Sequence, residues 1–476
     1  MNVQVKAFMR DYAEAIRDSR AAVFAGAGMS MPRGYVNWKE LMRTIAEDLE
    51  LDVDRESDLI AVAQYHFNDR RGRTQLNQLL VSEFTKSAEP SDNHRILARL
   101  PIEEYWTTNY DALIEKSLRE QGKIVDVKKT VENLAYSVPG ADVIVYKMHG
   151  DVSMPDRAVL IKDDYEMYDR TRGLFSIALQ GSLVAKTFVF IGFSFSDPNL
   201  NYILARIKAL LGENARTHYC FVRRVSRDKY TTEAEYQYNV RKQELRCEDL
   251  KRYGITALPI DEYDEITTIL TEMQRRVFRT NVFISGSAAT HGDWDAERAR
   301  RFVRLLSQRL IEEGFGIVSG FGLGVGSSVI EGAIETLWRK EKPIGKQLHV
   351  RPFPQDIANV EKKRQTWQRY REEMLQMSGI AVFVFGNKRE NNSVHSAKGV
   401  LEEFKIAHQL GVVPIPIAVT QFAARSIWER VMDNFSEYVP DPSLEDLYKS
   451  LAQKELEDEV VIENVVTIAK KLANTS

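Results

Sequence analysis

The feature that most constrains this chain is a repeated alternation. Short, unbroken apolar runs end in Gly, Ser, Asn, Asp or His, and segments with helical spacing separate them. AAVFAGAG from Ala21, YWTTNYD from Tyr105, VIVYKMHGD from Val143, TFVFIGFSFSD from Thr187, HYCFV from His218 and ITALPI from Ile255 form a first series. Runs of this kind suit strands buried on both faces of a parallel sheet. Parallel strands need crossovers, and the helical segments supply them. From about Trp38 to Leu100 the spacing is helical throughout, which predicts a helical insertion beside the sheet.

A second series repeats the pattern: NVFISGSA, FGIVSGFGLGVGSS, LHVRPFP, GIAVFVFG and VVPIPIAV. Helices are expected from about Asp295 to Glu313 and across Val329 to Trp338. The chain therefore reads as α/β, with two Rossmann-like parallel sheets. The boundary falls near Arg276 to Thr280, giving domains 1–278 and 279–476. In open α/β sheets ligands sit outside the carboxyl ends of the strands. The unusual residues of both series lie there.

Composition narrows the function. The 476 residues carry 65 Lys and Arg against 68 Asp and Glu, a net charge of -3. That balance argues against a dominant nucleic-acid-binding surface. No apolar run reaches the roughly 18 residues of a membrane helix, and MNVQVKAFMRDYAEAIRDSR lacks the pattern of a secretory signal. Two cysteines, Cys220 and Cys247, cannot form a disulfide framework or a four-cysteine zinc site. The expectation is a cytoplasmic protein with no metal, no nucleic-acid partner and no membrane partner.

In the first domain Ala25, Gly26, Ala27, Gly28, Met29 and Ser30 close the first strand. Glycines there permit a tight turn and let N–H groups approach a phosphate. A tight turn without a ligand uses them equally well, so this motif alone leaves both readings open. Further strands end in TTNYD with Asn109 and Asp111, in KMHGD with His149, and in GFSFSD with Gly192, Ser194 and Asp197. A histidine can take up a proton near neutral pH, and an amide can orient water or a hydroxyl. Asp111 either supports that chemistry electrostatically or caps the helix DALIEKSL.

GAGMS, TTNYD, MHGD and GFSFSDPN, in this order, resemble the NAD-binding domain of sirtuins over roughly residues 1–275. The resemblance implies that Ala25 to Ser30 hold the pyrophosphate. It places Asn109 and Asp111 near the nicotinamide ribose and makes His149 the general base. Gly192, Ser194 and Asp197 would bind the rest of NAD. Sirtuin deacylases carry two cysteine pairs around zinc; this chain has no C-x-x-C. NAD hydrolysis therefore fits better than protein deacylation. A nucleotide-binding regulator without catalysis is the remaining alternative, and the pairing of Asn109 with His149 argues against it.

In the second domain Ser285, Gly286 and Ser287 end one strand, and GFGLGVG with Gly322, Gly324 and Gly326 ends the next. Alternating glycines before a helix suggest an anion site. Arg371, Lys388, Gly399 and Glu403 follow; Arg clamps phosphate and a carboxylate bridges ribose hydroxyls. This half resembles the SLOG superfamily, whose GGxGTxxE motif is matched at its end by Gly399 to Glu403, with Val400 for Thr. The departure favours nucleotide sensing over phosphoribohydrolase activity. A sirtuin-like domain followed by a SLOG domain resembles the NADase effectors of the bacterial Thoeris antiphage system. That resemblance implies an NAD+ hydrolase switched on by a cyclic ADP-ribose isomer from a TIR-domain partner. The isomer would bind Ser285, Gly286, Ser287, the glycine loop, Arg371, Lys388, Gly399 and Glu403. It also implies a homotetramer that assembles into filaments when activated.

Overall fold

The computed structural model describes residues 3–193, 198–212, 216–390 and 393–474. The chain divides into two compact units, Met1–Gln274 and Arg275–Ser476, the division falling within the helix Asp264–Phe278.

The first unit is a seven-stranded parallel sheet. Its strands are β1 (Ala21–Ala25), β2 (Glu104–Thr107), β3 (Val125–Lys128), β4 (Val143–Lys147), β5 (Thr187–Ile191), β6 (His218–Arg223) and β7 (Ile255–Ile260). They lie in the order β3-β4-β2-β1-β5-β6-β7. Every residue of β1 and of β5 is buried, as continuous apolar runs at the centre of a covered sheet require. Six of these strands follow the apolar runs of the sequence; β3 does not. Its VDVK buries an ion pair, Lys128 to Asp126 at 2.7 Å, so charge interrupts the run that would have marked it.

The insertion is helical, as its spacing implies: Trp38–Asp48, Leu59–Arg70, Thr74–Phe84 and Asp92–Arg99. Its apolar faces share one core with Tyr110, Leu113, Leu160 and Ile161. Tyr110 and Leu113 lie just past the end of β2, so the insertion packs against the carboxyl edge of the sheet. Phe84 stacks on Tyr35 and meets Tyr110 at a tilt, with ring centroids 5.6 Å away in each pair.

The second unit has a five-stranded parallel sheet, β10-β9-β8-β11-β14. Here β8 is Asn281–Ser287, β9 Gly316–Ser319, β10 Leu348–Val350, β11 Ile380–Phe385 and β14 Val413–Pro416. The helix Ala296–Glu312 buries Phe302, Val303, Leu306 and Leu310 on one stripe, and Asp295 caps it by accepting from the N–H groups of Glu297 and Arg298. A small antiparallel hairpin, β12 (Asn387–Glu390) and β13 (Ser393–Ser396), follows β11. The sequence marks this stretch only as a turn into a helix. Its residues are mostly polar and exposed, so no apolar period reveals the strands. No described helix is long and apolar enough to cross a membrane.

Candidate active site and candidate signal pocket

Parallel register builds the first site. Ala25 pairs with Thr107 on one side and Ile191 on the other, and Thr107 pairs with Lys147. One row across β4, β2, β1 and β5 therefore ends the strands together. The segments that follow, with His149, Asn109, Gly26 to Ser30 and Gly192, leave from the same edge.

Gly192 and the β1 turn interlock. The Gly28 N–H donates to the Gly192 carbonyl at 2.9 Å, and the Gly26 N–H to the Ile191 carbonyl at 2.9 Å. Gly192 sits at φ +65°, and a Cβ there would lie 2.3 Å from the Met29 nitrogen. Only glycine fits such an approach. These glycines join two strand ends, so the tight-turn demand that the sequence left open beside phosphate approach is present.

Asn109 is tied into the same turn. Its Nδ2 donates to the Gly26 carbonyl at 3.1 Å and to Ser30 Oγ at 3.3 Å. Its N–H donates to Thr107 Oγ1, which donates to the Ala25 carbonyl. With Nδ2 committed, Oδ1 is the amide atom that remains for a ligand. Asp111 is buried; its Oδ1 accepts from the Leu113 N–H at 3.0 Å, at the start of the helix Leu113–Glu120. The N-cap itself is Ala112, so Asp111 closes the turn just before the helix rather than capping it. Its Oδ2 is buried with no hydrogen-bond partner.

His149 is 4% exposed, its ring edge-on to Tyr165 and Tyr168 at 5.5 and 6.3 Å. Arg172 pins this turn, donating to the carbonyls of Lys129, Met148 and Arg157. Burial lowers its pKa. Ser194 and Asp197 lie outside the described residues.

A buried charge cluster supports these groups. Lys147, with no exposed surface, pairs with Asp151 at 2.6 Å and Glu115 at 3.2 Å. It also donates to the Tyr110 carbonyl at 3.2 Å and to that of Asp111. Asp151 accepts in addition from Lys129 at 2.8 Å and Ser153 Oγ at 2.5 Å. Burial alone would raise the Asp151 pKa; the charge of Lys147 and these hydrogen bonds outweigh it and hold the carboxyl well below its usual range. For Lys147 burial acts downward, and the carboxylates of Glu115, Asp151 and Asp111 raise it above its ordinary value. The sequence reading passed over Lys147, Glu115 and Arg172. A lysine closing the apolar run VIVYK was the available signal.

The second site is made differently. Ser285 donates to Glu403 Oε2 at 2.6 Å in a buried contact, and Arg371 Nε lies 3.5 Å from Glu403 Oε1. The guanidinium sits over the rings of Phe353 and Trp367, at 5.2 and 5.9 Å. Gly399 faces it; a Cβ there would meet Arg371 Nη2 at 3.0 Å. Burial raises the Glu403 pKa, against the pull of Ser285 and Arg371.

Gly322 packs on the β8 turn so closely that a Cβ would lie 1.9 Å from the Gly286 carbonyl oxygen. Gly324 and Gly326 are likewise hemmed in by the Ala288 carbonyl and by Phe321, and Gly286 by the Val384 carbonyl. Backbone packing thus accounts for glycines that, in the sequence, suggest an anion site. Ser287 Oγ donates to the Asn387 carbonyl at 3.0 Å. Asn387, buried, accepts from the N–H groups of Ala289 and Thr290. Lys388 lies on the hairpin, paired with Glu390 at 2.5 Å. Among the described residues, none of the contacts joining Ser285, Glu403 and Arg371 includes it. The walls Phe353 and Trp367 were not anticipated as pocket residues.

A parallel sheet with an Asn- and His-bearing carboxyl edge, followed by a second with a glycine turn and an Arg–Glu–Ser cluster, defines a SIR2-like domain joined to a SLOG domain. Residues 103–247 match the SIR2-like domain family, a span holding TTNYD and KMHGD but not the β1 turn. Residues 265–472 match the Sir2- and TIR-associating SLOG family. The chain is 43% identical to the NAD(+) hydrolase ThsA of Bacillus cereus (strain MSX-D12) over 100% of both chains. It is 42% identical to that of Cytobacillus dafuensis, over 99% of this chain and 97% of the relative. It is 43% identical to that of Acinetobacter baumannii (strain 532279), over 90% of each. The chain belongs to the ThsA family.

Proposed function

We propose that this chain hydrolyses NAD+ to nicotinamide and ADP-ribose at the carboxyl edge of its first sheet. The shared row of strand ends, from which the segments bearing Asn109, His149 and the interlocked glycine turn all leave, is the observation that supports this reading. The relatives' name, NAD(+) hydrolase, supports it.

Nicotinamide in NAD+ is a cationic pyridinium, so the C1′–N bond breaks with its electron pair going to the ring nitrogen, giving a neutral leaving group. Water supplies the oxygen that bonds to C1′, and His149 accepts the proton that water loses. Asn109 Oδ1 orients the water or a ribose hydroxyl. A positioned base typically contributes about 10²–10⁴-fold. Ala25 to Ser30 and Gly192 would flank the dinucleotide, with Ser194 and Asp197 on the adjoining segment.

In the same proposal the second unit senses a cyclic ADP-ribose isomer made by a TIR-domain enzyme, and its binding turns on cleavage that depletes NAD during antiphage defence. Arg371 and Lys388 would meet phosphate, and Glu403 with Ser285 would meet ribose. Gly286, Ser287, Gly322, Gly324, Gly326 and Gly399 would shape the cavity. The active assembly is a homotetramer able to form filaments, and it works in the cytoplasm.

Product analysis tests the chemistry. Purified protein is incubated with NAD+ alone and with NAD+ plus an acetyl-lysine peptide, with and without cyclic ADP-ribose isomers. Nicotinamide and ADP-ribose formed without peptide support hydrolysis. Release that requires the peptide would make it a deacylase, and none under any condition would leave a nucleotide-binding regulator.

A further inference from the structure

We infer that Lys147 is a positioning residue, a strut beneath the first site that sets Asn109 and His149 relative to one another; this rests on the NAD-cleavage reading. Its ammonium is fully buried and reaches three elements at once. The Tyr110 and Asp111 carbonyls it holds directly follow Asn109. Asp151, paired with it at 2.6 Å, follows His149 by two residues. Glu115, at 3.2 Å, stands on the first turn of the helix that leaves the Asn109 loop.

A buried ammonium is strongly disfavoured unless paired and hydrogen-bonded. For stability alone, apolar groups of similar volume often serve as well as a buried ion pair. A side chain of fixed reach that binds the carbonyls of one site loop and the carboxylate of the other does something apolar packing cannot. It fixes the separation of two backbone segments. Arg172 holds the His149 turn by donating to the Met148 carbonyl, and Thr107 Oγ1 holds the Asn109 turn by accepting from the Asn109 N–H; neither of these side chains spans both turns, as Lys147 does. Misplacing reacting groups by about 1 Å can lower a rate about 10²-fold.

The test replaces cation and anion together. Lys147→Met with Glu115→Gln removes one charge of each sign at nearly constant volume and leaves Asp151 paired with Lys129. We expect this full-length variant to fold, with kcat for nicotinamide release lowered about 100-fold and KM for NAD+ changed far less. Amides of residues 109–113 should exchange hydrogen faster than in wild type. Lys147→Gln with Glu115→Gln, which restores a neutral donor, should recover part of kcat. Wild-type kcat in the folded Met variant would overturn the strut, as would a Gln variant no better than Met. If wild type itself releases no nicotinamide, the cleavage reading fails instead. Unchanged amide exchange at 109–113 would then still overturn the strut.

Discussion

At the strand ends of the first unit the candidate groups are side chains set above buried charge: Asn109 tied to the glycine turn, His149 between two tyrosines, and Lys147 joining two acids beneath them. At the strand ends of the second unit the backbone does most of the shaping. Glycine turns from β8 and β9 press together, and one cluster, Ser285–Glu403–Arg371, supplies the polar groups. The Arg371–Glu403 contact, at 3.5 Å, is looser than the 2.6 Å pair of Lys147 with Asp151. Its guanidinium rests on aromatic faces rather than being locked by carbonyls. The same strand-end grammar thus gives one cluster held by short buried ion pairs and another whose cation and carboxylate stand further apart.

Breaking the first half of that comparison should have the largest effect. His149→Ala is expected to lower nicotinamide release by about 10²–10⁴-fold. Asn109→Ala should abolish release as well. Circular dichroism should report the fold intact in both. Wild-type rates in the two variants would remove the assignment.

Arg371→Ala should spare catalytic capacity yet shift the activator concentration needed for half-maximal release by about 5–150-fold, the usual span of coupling energies. A response like wild type would put the sensor elsewhere. Gly322→Ala sharpens the contrast in stability. A Cβ 1.9 Å from the Gly286 oxygen forces the two turns apart, and overpacking of this kind typically costs about 1–3 kcal/mol. Denaturant unfolding should show that loss in the second unit, with hydrogen exchange in the first unit unchanged.

The smallest effect concerns pH. The Glu403 pKa is raised above its ordinary 4.5, so the folded state prefers its proton. Its share of stability is complete below pH 4.5 and is lost as pH rises through the folded value. The Asp151 pKa is lowered below 3.8, so its share is complete above pH 3.8 and is lost as pH falls through the folded value. Going from pH 7 to 5 should therefore stabilise the second unit, by at most about 1.4 kcal/mol per pH unit for one proton. Asp151 should contribute no change to the first unit over that range. Thermal melting of wild type and Glu403→Gln checks this, since the substitution should flatten the pH dependence.

Much of the architecture was legible because buried parallel strands write themselves as apolar runs. Eleven of the twelve strands in the two large sheets follow such runs, and VDVK of β3 escaped because Asp126 and Lys128 neutralise each other inside the fold. The polar groups were legible by type: Asn109 and His149 follow buried strand ends that do not need them for packing, and Arg371 and Glu403 are charges on the helices Val360–Gln376 and Lys398–Gln409. Their support was not legible. Lys147 and Glu115 are far apart in sequence, and only the register of β2 against β4 brings them together. Phe353 and Trp367 read as ordinary core aromatics until Arg371 is found over their rings. The glycines misled in part, because a close backbone approach and a phosphate cradle leave the same mark on a sequence.

The division of labour between the two units is tested most directly by the initial rate of nicotinamide release from NAD+ by the full chain, titrated with each of a panel of cyclic ADP-ribose isomers. A low basal rate that rises to saturation with one isomer is expected. Steady release indifferent to every isomer would contradict the sensing role of the second unit, and no release at any concentration would contradict the cleavage assigned to the first.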